Sequence, residues 1–322
     1  MFKRNLVPVW FGIILLSGMF LMGQDGWKEP PCEIVSFSDP NLEYAIRAAT
    51  ARPTGDICAS DLDRLTELAA GALGISDLSG LEYCSNLTSV LLQNNQLLDL
   101  SPLSGLTNLT TLHLGYNMIS DVSPLSSLVN LTDLYLLGNT VSDVGPLSGL
   151  VNLEVLYLNS NLISNVSALS GLVNLSDLGL AYNQISDVSP LSGLVTLTHL
   201  DLSLDQVSDV SALSGLVTLT HLHLSNNQIS SVSALSGLVN LSVLDLGGNQ
   251  ISDVSPLSGL VSLTSLDLWY NQVSDLNPLV LNAGIDSGDL VDVVGNPLDT
   301  TSCTVHIPTL EGRGVTVDHD CT

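Results

Sequence analysis

Apolar and polar positions along the middle of the chain follow one rule. Leucine stands at 65, 87, 109, 131, 153, 175, 197, 219, 241 and 263, always 22 residues apart and without insertion. The unit starting at Leu175, LSDLGLAYNQISDVSPLSGLVT, is apolar at Leu175, Leu178, Leu180, Ile185, Val188, Leu191 and Leu194. The alternation around Leu178 and Leu180 predicts a short strand, with those leucines inward and Asp177, Gly179 and Ala181 outward. SDVSPLSGL then turns the chain back: Asp187 can cap the turn, Pro190 fixes a dihedral, and Gly193 permits close passage. Burying seven apolar side chains contributes a gross ~10–20 kcal/mol per unit. One unit alone leaves both flat sides open, and ordering entropy would defeat it. The units must therefore stack and be capped at the ends.

A second column is polar. Asn183 stands ninth in its unit, and its equivalents are Asn95, Asn117, Asn139, Asn161, Asn227, Asn249 and Asn271; Leu73 and Asp205 break the column. The resulting LxxLxLxxN pattern, recurring in register from Leu65 to about Pro278, resembles the leucine-rich repeat. The 22-residue unit containing ISDVSPLSGL is similar to the internalin-like bacterial class. That resemblance implies an α/β repeat solenoid, an arc with a parallel β-sheet on its concave face and a buried asparagine ladder. FSDPNLEYAIRAAT is similar to the helical cap of internalins, with Asp39 as N-cap, Pro40 first in the helix, and Leu42, Ala45, Ile46 and Ala49 on one face. SDLDRL from Ser60 resembles a capping box with Asp63 in the acidic place. DLVDVVGNPL reads as a degenerate last unit, and IPTLEGRGVTVDHDC as a short helix and strand. The expected divisions are an export signal or signal anchor over 1–23, linker and N-terminal cap over 24–64, about ten repeats over 65–288, and the last repeat with the C-terminal cap over 289–322. No LPxTG-like sorting motif follows, which departs from the internalins and weighs against the host-cell adhesion known for some of them.

Charge and cysteines fix the compartment and narrow the partners. Lys3 and Arg4 precede an apolar run from Leu6 to about Gly23, the pattern of a secretory signal, with an uncleaved anchor as the rival reading. The expected location is secreted, periplasmic or cell-surface. Of the five cysteines, Cys303 and Cys321 are expected to bridge and staple the C-terminal cap, while Cys32, Cys58 and Cys84 supply one pair and one leftover thiol. The net charge is −25, and no Lys or Arg occurs between Leu65 and Gly312. Nucleic acid and anionic membrane surfaces are thereby poor partners. A basic protein is the better match, unless the charge only keeps an exported protein soluble.

The outward columns carry the candidate chemistry. Two patches stand out: aromatic His113, Tyr135 and Tyr157, and an acidic and histidine-bearing run of Asp177, His199, Asp201, His221, His223, Asp245 and Asp267 that ends at Trp269. Aromatic groups on an exposed sheet suit a protein contact. His199, His221, His223 and Asp201 fall on the corners of a small rectangle, the donor types of a zinc site. Duplication of LTHL accounts for two of these histidines without any metal, so no metal or cofactor is expected. The turn aspartates, such as Asp99, Asp121 and Asp143, offer a carboxylate row for cations, but turn capping suffices to explain them. Six Asn-x-Ser/Thr matches, Asn86 and Asn108 among them, are by-products of the repeat. His199, Asp201 and Ser203 alternate on one strand and stand parallel, so catalysis is not expected. The leading expectation is a monomeric protein-binding module; a structural envelope protein is the alternative, and a metal-dependent binder a third.

Overall fold

The computed structural model describes residues 32–321, so the export segment expected over 1–23 lies outside the described residues. Glu33–Thr322 form one structural unit. It opens with β1 (Ile34–Val35), α1 (Pro40–Thr50), β2 (Ile57–Cys58) and α2 (Ala59–Leu62); β1 and β2 pair antiparallel. Asp39 caps α1 by accepting from the Asn41 and Leu42 N–H groups at 2.8 and 3.2 Å. Its other oxygen accepts from the Ser76 and Asp77 N–H groups, tying the helix to the first repeat. Burial opposes the charge on Asp39, yet the N–H groups of Ser76, Leu42, Asn41 and Asp77 outweigh it and hold the pKa below the ordinary value. Leu42, Ala45 and Ile46 are buried as expected, while Ala49, one turn further, is exposed. The capping box is shifted from its expected place. Ser60 lies inside α2, Cys58 is the N-cap, and Asp61 rather than Asp63 accepts from the Cys58 N–H at 3.0 Å.

Ten repeats then supply ten three-residue strands: β3 (Glu67–Ala69), β4 (Ser89–Leu91), β5 (Thr111–His113), β6 (Asp133–Tyr135), β7 (Val155–Tyr157), β8 (Asp177–Gly179), β9 (His199–Asp201), β10 (His221–His223), β11 (Val243–Asp245) and β12 (Ser265–Asp267). After α3 (Asn277–Leu281) come β13 (Leu290–Asp292), α4 (Ile307–Glu311) and β14 (Thr316–Asp318). β3 to β14 form one open parallel sheet in chain order. Residues 22 apart pair with no slip, for example Tyr135 with Tyr157 and His221 with His199. Short 3₁₀ turns such as Ser123–Leu125 and Ser189–Gly193 lie opposite the sheet. The preceding aspartates cap them: Asp121 and Asp187 each accept from a serine N–H two residues on, at 2.8 Å. The Ser123 N–H and then its hydroxyl hold Asp121, and the Ser189 hydroxyl and then its N–H hold Asp187, below the ordinary carboxylate pKa.

The repeat leucines form one continuous core, almost all fully buried. The asparagine column is the buried ladder that the resemblance implied. Asn161 donates through Nδ2 to Leu136 O at 3.0 Å and Leu158 O at 2.9 Å, and accepts from Val141 N–H at 2.9 Å. A second ladder runs along the outside and was not foreseen. Asn108, Asn130, Asn152 and Asn174 each donate to a carbonyl 23 residues earlier at 2.8–2.9 Å, and Thr196 and Thr218 do so through their hydroxyls. At the C-terminal end the Cys303–Cys321 disulfide closes the cap as expected. Cys32 and Cys58 are both disulfide-bonded, and buried Cys84 is the leftover thiol. Among the described residues no helix is long and apolar enough to cross a membrane.

Candidate functional site on the exposed face of the sheet

Each strand buries its middle residue, such as Leu134 or Leu156, and leaves the two flanking side chains on the opposite face. Parallel pairing without slip sets like positions of successive repeats side by side, ~4.8 Å apart. His113, Tyr135 and Tyr157 are therefore consecutive neighbours. The His113 and Tyr135 rings stack at 3.8 Å and 29°, and the Tyr135 and Tyr157 rings at 5.5 Å and 6°. The next place is Gly179, where a Cβ would stand 2.6 Å from Tyr157 Cδ1. Tyr157 and Asn159 lean into that vacancy, so Gly179 is buried although alternation turns it outward; Ala181 is buried as well. Burial lowers the His113 pKa against the pull of Asp133 and raises the pKa of both tyrosines.

The second patch begins one strand later. His199 Nδ1 lies 3.2 Å from Asp177 Oδ1, and the His199 and His221 rings stack at 4.3 Å. Burial first, then His199 and His223, lower the His221 pKa, with Asp177 opposing. His223 Nδ1 turns toward Asp245 at 4.0 Å. Asp201 accepts from Ser203 N–H at 3.0 Å and from Asn159 Nδ2 at 3.3 Å. The rectangle of His199, His221, His223 and Asp201 thus has the expected backbone register, but its side chains do not aim at one point. Among the described residues no three His, Cys, Asp or Glu side chains gather as metal ligands. Ser203 meets Asp201 through its backbone, not its hydroxyl.

At the far end, Trp269 lies across Gly247, where a Cβ would collide with the indole, and reaches the edge of Gly248, where a Cβ would collide with Asn226 Oδ1. The carboxylate row continues past the regular repeats, since Asp245, Asp267, Asp292 and Asp318 pair strand by strand. Burial and then Asp245 and Asp292 raise the Asp267 pKa. Asp292 and Asp318 were missed from the sequence because their spacings are 25 and 26 residues rather than 22. With Trp269, Tyr270, Val294 and His319 they line an open pocket of about 480 Å³.

A further row borders this face. The eighth residue of each repeat, from Ala72 (φ 59°) through Tyr270 (φ 48°), is left-handed. Gly138 and Gly248 suit that conformation, and Asn94 and Asn226 tolerate it. Tyr116, Tyr182, Leu204 and Tyr270 bear it at a cost of about 1–2 kcal/mol each, with side chains 48–65% exposed. The signal was present as bulky residues one place before the ladder asparagine, but only the third, fifth and seventh columns read as outward.

Comparison with known proteins agrees with this architecture. A family model described as Leucine Rich repeats (2 copies) matches residues 85–127, 107–149, 129–171, 217–259 and 239–281. Internalin H of Listeria monocytogenes is 40% identical over 71 residues; that stretch is 21% of this chain and spans only 13% of the relative. The crystal structure of another Listeria monocytogenes internalin superposes with a TM-score of 0.76 at 29% identity, covering 88% of this chain and 91% of that one. Internalin C2 of the same species is 40% identical, with a TM-score of 0.63 over 65% of this chain and 93% of its own. With the 22-residue register, the asparagine ladder and the open parallel sheet, these matches mean that the chain belongs to the leucine-rich repeat proteins, in their internalin-like class.

Proposed function

We propose that the chain is an exported recognition module that binds another protein through the exposed face of its sheet. The His113–Tyr135–Tyr157 stack carries this reading. These rings fill positions the core does not need, and they are held rigid by the strands beneath them. Rigid, half-exposed aromatic side chains make strong contacts at little entropic cost. The partner is a protein with basic character, because the face holds aspartates and no lysine or arginine. The module acts as a monomer and by binding alone, without catalysis, nucleic acid or cofactor. Export agrees with the disulfides among the described residues, which persist in oxidising compartments. The test is a Tyr135→Ala, Tyr157→Ala double variant compared with the parent as bait for proteins from the medium and cell surface. Equal melting with selective loss of one retained protein supports the reading. The same retained proteins from both baits would refute it.

A second reading, a structural envelope protein, draws on a different row. Val129, Val151, Val173, Val195, Val217, Val239 and Val261 are each 45–54% exposed, one per repeat. Side-by-side packing along that row would give concentration-dependent assembly in sedimentation velocity. A monomer at every concentration would remove this reading.

A further inference from the structure

Of the four bulky residues in the left-handed row, Tyr270 borders a cavity. The repeats at Gly138 and Gly248 make the same turn with glycine, and so does the longer last unit at Gly295. The turn itself therefore does not need a tyrosine. Such strain persists only where surrounding contacts hold it, and the Tyr270 ring rests on Gly295 of the next coil, where a Cβ would stand 2.6 Å from it. Tyr270 meets Trp269 edge to face, with centroids 5.9 Å apart and planes at 89°. The two rings line the 480 Å³ pocket together with Asp292, Val294, Asp318 and His319. Asp245 and Asp267 continue the negative row out of the pocket and along the sheet. No lysine or arginine between 65 and 312 balances them, and Arg313 is turned to the Val280 and Asn282 carbonyls. Two aromatic rings and two carboxylates lining one pocket are the surroundings that a desolvated organic cation favours.

We propose that this corner is a cation pocket that takes a lysine or arginine side chain of a basic polypeptide segment lying along the carboxylate row. The proposal rests on the recognition reading above and names the chemistry of its partner. Charge complementarity chooses the occupant: a neutral or acidic segment would leave at least four neighbouring carboxylates, Asp245, Asp267, Asp292 and Asp318, without counter-charge.

Calorimetric titration of the full chain with synthetic octalysine at low ionic strength tests it. Three variants are compared with the parent: Tyr270→Gly, the pair Asp292→Asn with Asp318→Asn, and the pair Asp187→Asn with Asp209→Asn. The last pair removes the same charge from the turn row, where Asn165 already caps Ser167 N–H at 2.9 Å. The first two variants are expected to weaken binding by roughly tenfold. The turn pair should weaken it by less than about twofold, since remote surface charges are screened. Tyr270→Gly relieves the left-handed strain but loses the ring's contacts with Gly295 and Trp269, so its binding rather than its melting is the readout. Equal weakening by both aspartate pairs would reduce the effect to bulk charge and overturn the pocket. Unchanged binding by Tyr270→Gly would overturn the part of the aromatic ring in the pocket. Tetramethylammonium binding as tightly as octalysine would overturn the polypeptide segment in favour of a free small cation. The Tyr135→Ala, Tyr157→Ala variant should bind octalysine like the parent, so failure of the pocket and failure of the aromatic contact are separately visible.

Discussion

Asp205→Asn should stabilise the protein, and more so as the pH rises. Asp205 stands where other repeats place the ladder asparagine, and it is 8% exposed. Its Oδ1 accepts from Ile185 N–H at 2.8 Å, as an asparagine oxygen would. Its Oδ2 has no hydrogen-bond partner. In the preceding repeat the same place holds Asn183 Nδ2, which donates to Leu158 O and Leu180 O. Asp205 therefore presents an oxygen where the other repeats present an amide donor to two carbonyls. Burial pushes its pKa up to about 7, despite the Ile185 and Asn183 N–H groups, with Asp201 adding to the rise. The folded-state pKa lies above the unfolded value of 3.8. The folded form thus holds its proton more tightly, and the group costs nothing while both states are protonated. The cost grows as pH rises above the unfolded value and is complete above the folded one. A shift of about three units corresponds to about 4 kcal/mol at full ionisation, as an upper bound. Asparagine removes that cost and restores both donors. Urea unfolding followed by circular dichroism at pH ~5 and pH ~9 reads it, and subtracting variant from parent cancels every other titrating group. About a third of the cost is already present at pH ~5, so the stabilisation by Asp205→Asn should be larger at the higher pH by roughly 2–3 kcal/mol. An equal gain at both pH values would show that Asp205 ionises normally, and the reasoning would fail.

Asn161→Ala should cost about 2 kcal/mol, because it strands the buried Val141 N–H, while Leu136 O and Leu158 O each keep a neighbouring ladder asparagine, Asn139 and Asn183; unfolding by urea at neutral pH measures it. Gly179→Ala should displace both Asn159 and Tyr157 without touching the core, since a Cβ would collide with Asn159 Oδ1 and stand 2.6 Å from the Tyr157 ring. The signature is a changed near-UV spectrum with an unchanged far-UV one, together with weaker retention of the partner. Cys84, pushed up to about 12 by burial and then by Glu82 and Asp63, should resist alkylation at pH ~8 until the protein is unfolded. Rapid labelling of the native protein would contradict its burial.

The architecture was legible because the period never changes. Ten leucines at one spacing fixed the strands, and the ninth-place asparagines fixed the ladder. The register of the exposed columns followed from the same count, so His113, Tyr135 and Tyr157 could be set side by side from spacing alone. What the count could not supply was side-chain direction. His199 and His221 occupy the predicted corners, yet they stack and turn toward Asp177 and Thr220 instead of converging with His223. Rotamer choice depends on which neighbour offers a partner, and a column reading lists neighbours without ranking them. Asp292 and Asp318 escaped for the opposite reason, because the last units keep the strand pairing while lengthening the connection. The outer asparagine ladder escaped because its amides bond carbonyls 23 residues back, a relation visible only once the coils are stacked.

The unbroken spacing also bears on how such a gene can change. Every coil offers its successor the same carbonyls, amide hydrogens and leucine surface. Loss of one 22-residue stretch by unequal recombination therefore joins two coils that already fit. Coil number can drift by such events while the protein goes on folding, and each event rewrites the exposed face in one step. Excision of 199–220, for example, would bring the strand of His221 directly beside that of Asp177, so a histidine would still meet the same carboxylate.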